Sequence, residues 1–265
     1  MLNEEELMKA LIYDNVNVTE ENPLKEFFKI IIQLFVYIVI FYFLIFFTTG
    51  IVLKTLPIEK QIQLENFITD LSSIETKEIP NNEKEKIIKT RDLILNNDIH
   101  FPKTTNLDIK IIEHKEMNAL CFPNGNIYIT NKLYEKLDTE EKLAFVIAHE
   151  MAHYKNKDHL INLRKSISSS AVILSLCILG IEQNISTLVS ETMDLSDYKY
   201  SKQKEMKADK YAAQILLSVY GDTRGGVEVL NILKKGEYNI EFDTFSTHPS
   251  LNKRISYLNR INQKY

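Results

Sequence analysis

The sequence predicts an α+β fold: a mostly helical domain with a small β-sheet, preceded by one transmembrane helix. Three observations lead there. Residues 30–53 form one long uncharged apolar run. Short alternating segments between residues 107 and 130 read as strands. Nearly everything after Asn131 follows helical spacing.

The chain has 265 residues, enough for one sizeable domain plus extras or for two small ones. Its net charge is -4, and Lys is interleaved with Asp and Glu. A nucleic-acid binder would show a basic stripe, so no nucleic-acid partner is expected. Cys121 and Cys177 each sit in an apolar stretch and are expected to be buried free thiols.

Residues 1–29 form an acidic, polar N-terminal segment, with a short amphipathic helix expected at Glu4–Tyr13. The 30–53 run, Ile30 to Leu53, carries no charge and one strongly polar residue, Gln33. About 20 apolar residues cross a bilayer core. A core helix is seldom apolar on every face over this length. A cleaved signal peptide would need a basic flank and a small-residue cleavage site, and neither is present. Membrane lipid is therefore the expected partner of residues 30–53, and single-pass anchoring the expected location. Lys25 and Lys29 on one flank balance Lys54 and Lys60 on the other, so membrane orientation stays unset.

Residues 57–265 form the expected globular unit. Helices are expected at 58–75 and 83–96, separated by a break at Ile79-Pro80-Asn81-Asn82-Glu83. Strands follow at Leu107–Glu113, Ala119–Phe122 and Ile127–Thr130, the last two joined by a Pro123-Asn124-Gly125-Asn126 hairpin turn. Asp138 is placed to cap the next helix, with Glu141 completing a capping box. A second apolar run, residues 167–181, is short for a span and contains four serines. If residues on both sides of it serve one site, it cannot cross once. A buried or membrane-dipping helix is expected. Residues 182–200 stand between the same candidate site residues and are placed to cover a cleft. Pro249 and Ser250 open a last amphipathic helix with Leu251, Ile255, Leu258 and Ile261 on one face.

Chemistry concentrates in His149-Glu150-Met151-Ala152-His153. Residues four apart on a helix project from one face, so both imidazoles can reach one Zn²⁺ at roughly 2 Å each. Glu150 points about 100° away around the helix, beside the ion rather than on it, where a carboxylate can take a proton from an attacking water. The bland reading is a pair of core or solvated histidines. Apolar Leu143, Val146 and Ile147 bury this helix and weaken it. A catalytic zinc also needs a third protein ligand. His159 lies six residues after His153, the metzincin spacing, with Asn156 at the glycine position and Met193 available as a Met-turn. Glu205 is the other candidate. Asp209 lies four residues on, placed to accept a hydrogen bond from the free nitrogen of a ligand histidine. The bland reading of Glu205 is a solvated charged face. Ala208, Ala212 and Ala213 favour close helix packing beside it.

With these residues in hand, the chain resembles the M48 family of metallopeptidases, which includes the CAAX prenyl protease, HtpX-like and mitochondrial OMA-type proteases. The resemblance covers roughly residues 57–262. It rests on Asn118-Ala119, Pro123-Asn124-Gly125, His149 to His153, Ser201 to Asp209, Thr247-His248-Pro249 and Arg254. Lys202 departs from the family's usual Arg, and Asn124 replaces a common Gly. The resemblance implies a zincin-like, gluzincin domain binding one Zn²⁺ per chain through His149, His153 and Glu205. It implies Glu150 as general base, His248 as oxyanion stabiliser and Arg254 as its assistant. Asn118 and Ala119 would lie on an edge strand that pairs with a polypeptide substrate. The implied function is a membrane-anchored zinc endopeptidase acting in membrane or envelope protein quality control. The alternative is a zinc-bearing membrane-anchored chaperone or scaffold that binds peptides without cleaving them.

Overall fold

The computed structural model describes residues 3–5, 22–57, 59–60, 63–64, 66, 76–98, 101, 107–122, 124–178, 200–237 and 251–263. The helix expected at Glu4–Tyr13 and that at 58–75 fall largely outside these residues.

Helix α1, Pro23–Thr55, extends the apolar run at both ends. Asn22 Oδ1 accepts from the Leu24 N–H at 3.1 Å. Pro23 sits in the first turn, where a missing N–H costs nothing. Pro57 disfavours helix at the residue before it, and Leu56 is extended. Among the described residues, α1 is the one helix long and apolar enough to cross a membrane.

Helix α2 is Asn81–Asn97, with Pro80 at its N-cap position, so Asn81 to Glu83 begin the helix rather than break it. Three strands follow: β1 (Ile109–Ile112), β2 (Ala119–Cys121) and β3 (Ile127–Thr130). The sheet order is β1-β3-β2, with β1 parallel and β2 antiparallel to β3. Central β3 is buried throughout. Gly125 makes the tight β2–β3 turn at φ +89°, a left-handed conformation that glycine adopts without strain. Thr76 bridges Ile112, and the Lys77 N–H reaches Ile111 O at 2.7 Å, which covers the β1 edge. Helix α3, Asn131–Tyr134, is capped by Thr130.

Helix α4, Glu140–Lys155, is the axis of the domain: every residue from Lys142 to His153 is buried. Its cap is Thr139, whose Oγ1 accepts from the Lys142 N–H at 3.3 Å. This corrects the expectation of Asp138 with Glu141. The extended backbone at Thr139 aims its hydroxyl into the first turn, while the Asp138 carboxylate pairs with Lys142 Nζ at 2.7 Å. Around α4 pack α2, α6 (Lys202–Tyr220) and α7 (Arg224–Glu237), with α8 (Leu251–Asn262) against α7. Ala208, Ala212 and Ala213 are fully buried, letting α6 lie close against α4. A Cβ at Gly226 would stand 2.5 Å from the Phe145 ring, so α7 also approaches α4 at glycine distance. Helix α5, His159–Ile178, leaves this group and packs along α1. The expected apolar helix at 167–181 is thus the second half of a longer one. Cys121 is a buried free thiol.

Candidate metal centre

Helix α4 presents His149 and His153 one turn apart, and α6 brings Glu205 across from them. The two Nε2 atoms are 3.2 Å apart. Glu205 Oε2 lies 3.5 Å from His149 Nε2, and Oε1 lies 3.5 Å from His153 Nε2. All three residues are buried, and their ligand atoms lie within 4.8 Å of one another. A tetrahedral ion with bonds of about 2.0–2.2 Å sets ligand–ligand separations of roughly 3.3–3.5 Å, so the spacing fits zinc. The charge fits as well. Glu150, Asp158, Glu205 and Asp209 supply four carboxylates against two cations, Arg254 and Lys204. With neutral imidazoles, a divalent cation balances the remainder.

His159, the other candidate ligand, is not in this group. It opens α5 and stacks on the Tyr154 ring at 5.0 Å. Met193 lies outside the described residues. Asn156, at the glycine position of that spacing, is right-handed in the structure, and Lys157 takes φ +56°.

That turn has a consequence for His153. The Lys157 N–H donates to Tyr154 O and the Asp158 N–H to His153 O, each at 2.9 Å, a Schellman closure of α4. It folds Asp158 back so that Oδ2 lies 3.0 Å from His153 Nδ1. A carboxylate there fixes the tautomer that leaves Nε2 free for a metal. Lys204, next to Glu205, holds the other Asp158 oxygen at 2.8 Å. Tyr200 stacks on the His153 ring at 3.9 Å. Asp158, Lys204 and Tyr200 were missed from sequence. The one available signal was a carboxylate just past the helix end.

Asp209 Oδ1 stands 3.1 Å from His149 Nδ1, off the hydrogen-bonding angle but within ion-pair range. Arg254, buried on α8, grips Asp209 through Nε at 2.6 Å and Nη2 at 2.7 Å, and its Nη1 reaches Glu205 Oε2 at 2.8 Å. Its guanidinium thus engages both carboxylates at once. His248 lies outside the described residues.

The electrostatics follow from this crowding. Burial alone would lower His149, but Asp209 and Glu205 outweigh it and push its pKa up to about 10. His153 is raised likewise by Asp158 and Glu205 against burial. Burial would raise Glu205, yet the imidazoles and Arg254 hold it well below the usual carboxylate range. The carboxylates thus favour positive charge at the imidazoles, as protons on the rings or, with the rings neutral, as a divalent cation between them. Glu150 differs. Burial pushes its pKa up, outweighing the opposing pull of His153, His149 and the Cys121 backbone N–H. Its Oε2 has no hydrogen-bond partner among the described residues, which leaves it open to a ligand.

The Cys121 contact ties Glu150 to β2. Just before that strand, the Asn118 N–H donates to Thr130 Oγ1 at 2.9 Å, and Asn118 Oδ1 accepts from the Ala119 N–H at 2.9 Å. Asn118 and Ala119 thus begin an edge strand that runs toward Glu150.

The family model described as Peptidase family M48 matches residues 81–262. The mitochondrial metalloendopeptidase OMA1 of Arabidopsis thaliana is 25% identical over 155 residues, covering 58% of this chain and 31% of its own length. The beta-barrel assembly-enhancing protease of Escherichia coli K12 is 26% identical over 166 residues, covering 58% and 34%. A protease HtpX homolog of Helicobacter acinonychis is 28% identical over 186 residues, covering 57% and 59%. The chain spans about a third of the length of the first of these relatives.

Proposed function

The chain belongs to Peptidase family M48, and from that premise we propose that it is a membrane-anchored, zinc-dependent endopeptidase. Residues 57–265 are its catalytic unit and residues 30–53 its anchor. The observation that carries this reading is the convergence of His149, His153 and Glu205 beside Glu150 Oε2, a buried oxygen without a partner among the described residues.

Zinc, when bound by those three residues, supplies the Lewis acidity that activates a water and polarises the scissile carbonyl. Glu150 takes the proton from that water and returns it to the leaving amine. Its raised proton affinity suits both transfers. Asp158 holds the His153 tautomer, and Arg254 fixes Glu205 and Asp209. His248 takes the oxyanion role on the strength of the family resemblance. A polypeptide lies along the outer edge of β2 from Asn118 and pairs by its backbone, which brings the bond to be cut past Glu150. Membrane or envelope polypeptides are the proposed substrates, by analogy with the relatives.

The test is Glu150→Gln in the full chain. We expect zinc content and thermal unfolding to match wild type while peptide cleavage falls by about 10²–10⁴-fold. Substantial cleavage by the variant would sink the mechanism. A wild-type protein that binds zinc and peptide without cutting would make it a scaffold.

A further inference from the structure

Helix α1 is not a bare rod: one of its faces is covered by another helix of the chain. On α1, a partly buried stripe runs from Ile38 through Tyr42, Phe46, Gly50 and Leu53 to Leu56, about 27 Å of helix. The element packed along it is α5. Leu160, in the first turn of α5, packs on Leu53. Leu160 on Leu53 and Arg164 on Phe46 set α5 antiparallel to α1. The rest of the α1 surface, including Phe35, Ile40 and Phe47, is exposed and apolar.

Bilayer thickness makes this arrangement decisive. If α5 stayed in water, only residues 30–37 of the apolar run would be free to enter lipid, about 12 Å of helix. A hydrocarbon core is about 30 Å thick. An α1 that spans must therefore carry α5 in with it.

The chemistry of α5 agrees. Beyond Lys165 it has no charged residue to Ile178. Ser168 and Ser175 donate to the carbonyls of Arg164 and Ala171, each at 2.8 Å, so these hydroxyls need no water. Of the two charges that precede the apolar half, Lys165 is exposed and Arg164 is satisfied by α1 itself. Its Nε and Nη2 donate to Phe46 O at 3.0 and 2.9 Å, and its guanidinium lies 4.0 Å from the centroid of the Phe46 ring. Gly50 makes the seat: a Cβ there would stand 2.4 Å from Arg164 Cζ. Partnering an intramembrane Arg with a backbone carbonyl is how such a charge is tolerated.

We propose that α5 is a second membrane-inserted helix, seated antiparallel on α1 by Arg164, so that a helix pair rather than a single anchor contacts lipid. This rests on the reading that α1 spans a bilayer. Tyr200 is back beside His153, so the chain leaves the membrane on the side where it entered.

The experiment uses the full chain in phosphatidylcholine vesicles, with Cys121→Ala and Cys177→Ser and one fluorophore attached at Ile40→Cys or at Val172→Cys. Lipids carrying a quencher at the acyl-chain centre report depth. Loss of most fluorescence at both positions supports the proposal. Loss at position 40 alone overturns it and leaves the α1 anchor standing. No loss at either position overturns the anchor and the proposal with it. Should the cysteine replacements disturb folding, the unmodified protein is labelled with a photoactivated carbene dissolved in the lipid phase. Adducts within residues 167–178 are expected, and adducts confined to α1 would overturn the proposal.

Discussion

Asp158 lies 3.0 Å from His153 Nδ1 across a left-handed turn at Lys157 that closes the helix carrying both histidines. Asp158→Asn should weaken zinc binding by about 10–100-fold, the usual cost of losing such an orienting partner. Chelator competition measures the affinity, and far-UV circular dichroism should stay unchanged. An unaltered affinity would show that Asp158 does not orient the ring.

Arg254 pairs with Asp209 and Glu205 together inside the core. Arg254→Met leaves those charges uncompensated, and stripping a buried pair of one partner costs about 3–5 kcal/mol. Denaturant unfolding should show the loss. Arg254→Lys should recover little of it, because an ammonium cannot reproduce the paired contacts of the guanidinium.

Removal of metal should destabilise the fold itself. Zinc at a thousandfold over its Kd contributes about 4.1 kcal/mol to a folded state that binds it. The midpoint of thermal unfolding should fall with chelator and return with zinc. A midpoint indifferent to both would mean that the His149, His153 and Glu205 cluster is not a metal site.

Ala208 is fully buried one turn from Glu205. Ala208→Leu forces α6 away from α4 at a cost of about 1–3 kcal/mol. Zinc affinity should drop in the same variant, since Glu205 moves with its helix. Lost stability with unchanged affinity would argue that Glu205 does not bind the ion.

Asn118 shapes the start of the β2 edge through its bonds to Thr130 and Ala119. Asn118→Ala should raise the KM for peptide roughly fivefold, about 1 kcal/mol of hydrogen bonding, with kcat and zinc content nearly constant. A fall in kcat alone would place Asn118 elsewhere in the reaction.

Local signals were legible in the sequence. The His149–His153 helix, the strand Ile127–Thr130 and the turn at Gly125 each depend on neighbours within a few residues, and each formed. Relationships set by packing were not. Arg254 meets Asp209 only because α8 and α6 are brought together 45 residues apart. The parallel pairing of β1 with β3 follows from the way the chain crosses past β2. Asp158 escaped notice because its turn is made by a lysine, while the residue types that favour left-handed backbone are Gly and Asn. The Arg164–Gly50 seat joins two helices far apart in the sequence, which only packing brings together.

The turn at Lys157 and Asp158 also works as a spacer. Asp158 touches the His153 ring, and two residues later Leu160 rests on Leu53, the last residue of the apolar run. Under the proposed anchoring, so short a link would hold the metal cluster at a set height above the membrane surface. Under the proposed activity, the place of cleavage would be chosen by distance from the bilayer, as with a ruler, before any side chain of the substrate is read.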